Sequence, residues 1–201
     1  MLSFRERLEL LERDLLTTPP AFISSSDLPF AVFRYDPTSE GEEEWMVRRE
    51  VSKLGVRVGT ASGGEVQMVS LAELYWKCIA RAEGLESIVD LEIEQGFSAA
   101  ETQVSAYLNS PAGWTPLTEL LVEAVSNLSP KPSIVFLTRA SVFAPSSYRL
   151  SALLERLMGK IKTPCVLFYP GTWRESLNYM GIRSDEEPLG SYRVKIYGRE
   201  S

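Results

Sequence analysis

Two short, unbroken apolar runs limit the folds open to this chain more than any other feature. Ser133–Leu137 and Pro164–Tyr169 carry no polar residue at alternate positions. As strands they would be covered on both faces, which requires helices above and below the sheet. Between them Leu150, Leu153, Leu154 and Leu157 fall at helical spacing, and strand–helix–strand passages favour parallel pairing. With 201 residues the chain can bury about 70% of its extended surface around one core. The expectation is a single α/β domain over 1–201.

The other elements follow from local signals. Ser3 and Glu6 have capping-box spacing, and Phe4, Leu8, Leu11 and Leu15 form a helical stripe that Thr17-Thr18-Pro19-Pro20 ends. Phe30–Tyr35 is rich in aromatic and β-branched residues and reads as a strand closed by Asp36-Pro37. The acidic run Glu40–Glu44 suits a helix start, with Arg48, Arg49 and Lys53 toward the other end. Glycines 55, 59, 63 and 64 predict a turn-rich connection to a short strand at Val66–Val69. Ser70 and Glu73 then open a helix bearing Leu71, Leu74, Tyr75, Cys78 and Ile79. Three further helices are expected. Leu85–Glu94 should turn Leu85, Ile88, Val89 and Ile93 inward, and Ser98 with Glu101 should cap the second, whose face is Val104, Tyr107 and Leu108. Thr115-Pro116 should start the third, with proline in its first turn. A short amphipathic segment at Ser176–Met180 and an edge strand at Tyr192–Tyr197 complete a mostly parallel five-stranded sheet with a helical insertion.

Charge divides the chain unevenly. Residues 1–81 hold ten basic and thirteen acidic side chains, whereas 82–130 hold eight acids and no Lys or Arg. Residues 131–201 hold eleven basic and six acidic groups, and the whole sums to −6. Either the helical acidic segment 82–130 and the basic end orient the chain toward a protein partner, or they are ordinary solvated faces.

Much chemistry is excluded. With no histidine and only Cys78 and Cys165, there is no histidine relay, four-cysteine metal site or disulfide framework. Both cysteines read as core residues. The low cysteine content points to a cytoplasmic location. The first twenty residues, with four acids, do not read as a signal peptide, and no apolar run is long enough to cross a membrane. The glycine-rich stretch 59–64 lacks the phosphate-loop lysine and precedes a strand instead of following one. The strand at 133–137 ends in Thr138-Arg139, without the acid of a magnesium-binding strand. Dinucleotide and serine-nucleophile signatures are missing too. No cofactor and no catalytic set is expected.

The remaining polar groups gather where parallel strands end. Arg34 and Asp36 close the first strand, Arg139 and Ser141 follow the third, Tyr148 and Arg149 begin a helix, and Tyr169 and Gly171 end the fourth. Such a rim either binds a carboxylate, phosphate or partner, or ties loops to the core. Asp36 is the best single acidic candidate, with capping of its own turn as the alternative. Trp114 and Trp173 lie in loops and are candidate interface anchors, the alternative being half-buried packing.

The segment 133–145, Ser-Ile-Val-Phe-Leu-Thr-Arg-Ala-Ser-Val-Phe-Ala-Pro, the leucine-rich helix after it and 164–172, Pro-Cys-Val-Leu-Phe-Tyr-Pro-Gly-Thr, resemble the BrxB family of bacterial BREX (bacteriophage exclusion) defence islands. Phe168-Tyr169-Pro170-Gly171 matches the family quartet, Pro145 fits its loop proline, and Ser141 replaces the usual glycine. Ser176–Gly181 resembles the next stretch, with Met180 for phenylalanine, and Ser191–Ile196 resembles the last strand. Phe33–Pro37 and the first helix fit the general layout. The specific part of the resemblance is 133–197.

The resemblance implies a fold like that of a P-loop ATPase of the AAA or RecA kind stripped of its Walker motifs. It also implies a non-enzymatic adaptor or scaffold in BREX phage defence, with a PglZ-type protein of the alkaline-phosphatase superfamily as partner alongside other BREX components. Two alternatives remain open from the residues. One is a DNA-associated subunit using Arg174, Arg183, Arg193, Lys195 and Arg199. The other is a cryptic nucleotide- or metal-dependent hydrolase at the rim.

Overall fold

The computed structural model describes residues 2–24, 29–109, 113–128, 134–144, 146, 148–173, 176–181 and 194–198. In chain order the elements are α1 (Phe4–Leu15), α2 (Ala21–Ser24), β1 (Phe30–Tyr35), α3 (Glu44–Ser62), β2 (Val66–Ser70), α4 (Leu71–Arg81), α5 (Gly84–Gln95), α6 (Phe97–Asn109) and α7 (Leu117–Ser126). After these come β3 (Ile134–Thr138), a 3₁₀ turn (Ala140–Phe143), α8 (Leu150–Arg156), β4 (Cys165–Trp173), β5 (Leu177–Tyr179) and β6 (Lys195–Tyr197). They divide into two compact units. A sheet unit comprises Met1–Val69, Leu128–Ser141 and Lys162–Ser201, and a helical unit comprises Ser70–Asn127 and Val142–Ile161.

In the sheet unit the strand order is β2-β3-β4-β1-β6, with β5 against β4. β1 pairs in parallel with both β4 and β6, and β3 with β4. Register places Phe33 beside Phe168 and Tyr197, so alternate residues line one face. On it Ala31, Phe33, Tyr35, Phe136, Val166 and Phe168 form one core with Leu8, Leu11 and Leu15 of α1 and Val47, Val51, Leu54 and Val58 of α3. Fully burying each such leucine stabilises the fold by roughly 1.5–3 kcal/mol. Both arms of the Ser3–Glu6 capping box are formed, and every residue of β1 is buried.

Three expectations need correction here. Gly55 and Gly59 are not in a turn, since α3 runs through both. A Cβ on Gly55 would lie 3.3 Å from Met68 Cε, and one on Gly59 3.2 Å from the Gly64 carbonyl oxygen. The glycines therefore let α3 pack closely on β2 and on the turn before it. β4 does not end at Pro170-Gly171. It continues to Trp173 and turns back as antiparallel β5, which replaces the amphipathic segment. The sheet thus has six strands among the described residues, with β5 antiparallel to β4. In this hairpin the Pro170 carbonyl accepts from the Met180 N–H at 3.0 Å.

The helical unit is built from α4–α8. Cys78, Ile79, Tyr107, Leu108, Leu117, Leu120, Leu121, Leu153 and Leu154 are buried. Ser70 Oγ accepts from the Glu73 N–H, as its spacing predicts. α6 begins at Phe97, one residue before the expected cap, because the Gly96 carbonyl accepts from Ala99 and Ala100. Pro116 stands at the N-cap of α7 and not inside its first turn. α5 departs most from expectation, since it buries only Ile88. A 3₁₀ turn occupies part of the loop expected before α8. Ser133, Pro145, Ser191, Tyr192 and the arginines at 174, 183, 193 and 199 lie outside the described residues.

Candidate functional site

The carboxyl end of β1 in the sheet unit holds a buried polar cluster. Arg34 is 4% exposed, because its position in a strand covered on both faces turns the side chain inward. Its Nε donates to the Gly198 carbonyl at 2.9 Å and its Nη1 to that of Gly171 at 3.3 Å. The guanidinium thus ties the turn after β6 to strand β4. Arg7 of α1, also buried, donates to the Arg34 carbonyl and to the Glu42 carboxylate. Glu42 in turn accepts from the Asp36 N–H at 2.8 Å. Gly198, at φ +102, is required here: a Cβ would sit 3.0 Å from Arg7 Nη1 and 3.2 Å from Arg34 Nε.

Asp36 does not face an open site. Its Oδ1 accepts from the Thr38 N–H at 3.0 Å and the Thr38 hydroxyl at 2.7 Å. Partial burial opposes ionisation, but these bonds and the charge of Arg34 hold the carboxyl below its ordinary pKa. A nearby cluster joins α1 to the edge strand, where Asp14 accepts from Lys195 and from the Tyr197 hydroxyl. Again burial opposes ionisation, and the two donors outweigh it to lower the Asp14 pKa. Burial first, then the Asp14 charge, pushes Tyr197 upward. Lys195, counted among the basic residues of the last third, is therefore already neutralised by a carboxylate.

Tyr169 pairs in register with Arg34 beside Gly171, whereas Arg139, Tyr148 and Arg149 lie on other segments. Tyr169 is buried and packs edge-on against Tyr179, ring centroids 5.8 Å apart. Arg139 is exposed, at a positive φ of 58° after β3. Tyr148 belongs to the helical unit, buried and stacked on Phe143 at 5.2 Å, and Arg149 beside it is exposed. Burial raises the Tyr148 phenol. Trp114 is half-buried, edge-on to Tyr107 at 4.7 Å, and Trp173 is half-buried at the end of β4. Among the described residues Arg34, Asp36, Tyr169 and Gly171 of the rim come together, braced by Arg7 and Glu42. Sequence reasoning missed those two, which lie 27 and 8 positions from Arg34.

No nucleophile is primed among these groups. Burial pushes the Cys78 thiol up to about 11 and that of Cys165 to about 12. Among the described residues no three His, Cys, Asp or Glu side chains group as metal ligands, and no helix is long and apolar enough to cross a membrane. A cleft of about 500 Å³ between α1 and α3 is lined by Phe4, Leu8, Glu12, Met46 and Arg57. Its charges already pair, with Arg57 Nη2 2.7 Å from Glu12 Oε2.

The helical unit offers a different surface. Leu85, Val89 and Ile93 of α5 are 53%, 46% and 78% exposed, and Phe97 at the start of α6 is 58% exposed. Four residues apart, the first three form one ridge. Phe97 also lines an open hollow of about 120 Å³ with Tyr75, Ile88, Ala100 and Val104. This ridge is the surface whose periodicity was legible in the sequence while its exposure was not.

The family model for BREX protein BrxB matches residues 67–195. No curated protein and no solved structure matches the chain. The matched span is well over half of the 201 residues and runs from β2 into β6. It includes the helical unit and the Phe168–Gly171 quartet on which the resemblance rests. This chain belongs to the BrxB family of BREX proteins.

Proposed function

We propose that this BrxB-family protein is a non-enzymatic adaptor of a BREX system that binds its PglZ-type member. The family match over residues 67–195 carries the reading. In it, residues 1–201 work as one BrxB-like α/β domain with 82–130 as an acidic helical segment. The fold is a P-loop-ATPase-like sheet of the AAA or RecA kind without Walker residues, acting in the cytoplasm. The sheet end at Arg34, Asp36 and Gly171 serves as a brace, since Arg34 donates to the Gly198 and Gly171 carbonyls and the Asp36 N–H to Glu42. Tyr169 and Tyr148 belong to the packing, while Arg139, Arg149, Trp114 and Trp173 remain accessible enough to meet a partner.

The test is co-purification. Tagged chain expressed from an intact BREX island should carry the PglZ-type protein through two affinity steps. Folded chain that emerges without any BREX component would refute the adaptor reading.

A further inference from the structure

We infer that the exposed ridge of α5 is a docking surface for a basic amphipathic helix of a protein partner. The inference rests on the adaptor reading and names the surface and the chemistry of what binds there.

Two parallel rows on α5 carry it. Leu85, Val89 and Ile93 recur every four residues, and so do Glu86, Asp90 and Glu94. Each acid follows its apolar neighbour by one position, a rotation of about 100°, so the acidic row runs alongside the apolar one. Glu92 flanks the opposite edge, seven residues after Leu85 and one before Ile93. All four of these acids are exposed. The α5–α6 segment has no intrinsic counter-charge, because Lys and Arg are absent from 82 to 130. By contrast, Glu50 and Glu12 on the sheet unit's helices each meet a lysine or arginine. Clustered acids of one sign repel one another, and a cationic partner relieves that repulsion as it covers the apolar row.

The shape agrees with the charge. An apolar ridge on a helix, beside a hollow lined by Phe97, Ala100 and Val104, fits a second helix lying along it with one apolar side chain in the hollow. The occupant is thus a helix with apolar residues at three- and four-residue steps and Lys or Arg beside them. Anionic nucleic acid and anionic lipid are disfavoured by the same acids.

The experiment uses the full chain and a fluorescent eighteen-residue helical peptide with leucines at those steps and lysines on both flanks. Binding that weakens at least tenfold in Ile93→Glu, weakens with added salt, and is lost when glutamates replace the peptide lysines is the expected result. Glu86→Lys/Asp90→Lys should weaken the lysine peptide and favour the glutamate one. Melting followed by circular dichroism confirms that the variants fold. Equal binding of both peptides, or none, would overturn the inference. So would a self-dimer that Ile93→Glu dissolves, or uptake by phosphatidylcholine vesicles in place of peptide binding. Co-purification with BREX proteins separates the two readings. If the PglZ-type protein follows Ile93→Glu as well as wild type and no peptide binds, the surface falls and the adaptor stands. If the peptide binds and no BREX protein follows the chain, the adaptor reading falls and the surface stands.

Discussion

Helices α1 and α5 are each twelve residues long and each carries an apolar row at helical spacing, yet they end in opposite environments. α1 lays Leu8, Leu11 and Leu15 into the sheet core. Even its buried charges are matched, Arg7 by Glu42 and Asp14 by Lys195. α5 buries Ile88 alone and holds Leu85, Val89 and Ile93 in solvent beside a row of exposed acids. Periodicity reports that a helix is amphipathic, not what covers its apolar face. For α1 the cover is the chain's own sheet. α5 has the pattern of a buried helix and the exposure of an interface.

Stability measurements should separate the two helices. Leu11→Ala removes a fully buried side chain and should cost about 3 kcal/mol in urea unfolding, whereas Val89→Ala should stay within about 0.5 kcal/mol. Equal costs would erase the contrast. Arg7→Leu removes the guanidinium that donates to the Arg34 carbonyl and pairs with the Glu42 carboxylate and should cost about 2 kcal/mol. A neutral result would mean that the brace at the sheet end contributes nothing.

The Asp14 cluster gives a pH signature. Its pKa in the folded protein lies below the ordinary carboxylate value. The stabilisation is therefore complete above the unfolded-state pKa of about 4, declines as pH falls, and is gone below the native pKa. Asp14→Asn should cost about 1 kcal/mol at neutral pH and flatten the acid limb of the stability profile. An unchanged acid limb would remove Asp14 from the account. The smallest effect on folding is expected for Ile93→Glu, within about 0.5 kcal/mol of wild type in the same assay. A larger loss would mean that Ile93 is covered within the chain.

Much of the fold was legible because its signals are local. The Ser3–Glu6 box, the aromatic strand at Phe30–Tyr35 and the Ser70 cap depend on residues within a few positions of one another. Gly55 and Gly59 misled because glycine normally weakens a helix, and the close approach that favours it comes from Met68 and Gly64. Pro170-Gly171 misled similarly. A Cβ at Gly171 would fall 2.2 Å from the Asn178 carbonyl oxygen, so the glycine allows a hairpin contact and does not end the strand. At the candidate site, Arg34, Asp36 and Gly171 could be placed at strand ends by pattern alone. Their fixation by Arg7, Glu42 and Gly198 arises from long-range pairing that no local pattern encodes.

The adaptor account is tested most directly by measuring the mass of the purified chain mixed with its PglZ-type neighbour, by light scattering during gel filtration. The account predicts one species heavier than the PglZ-type protein alone by at least one 22.5 kDa chain. Two species that elute at their separate masses across micromolar concentrations would contradict it.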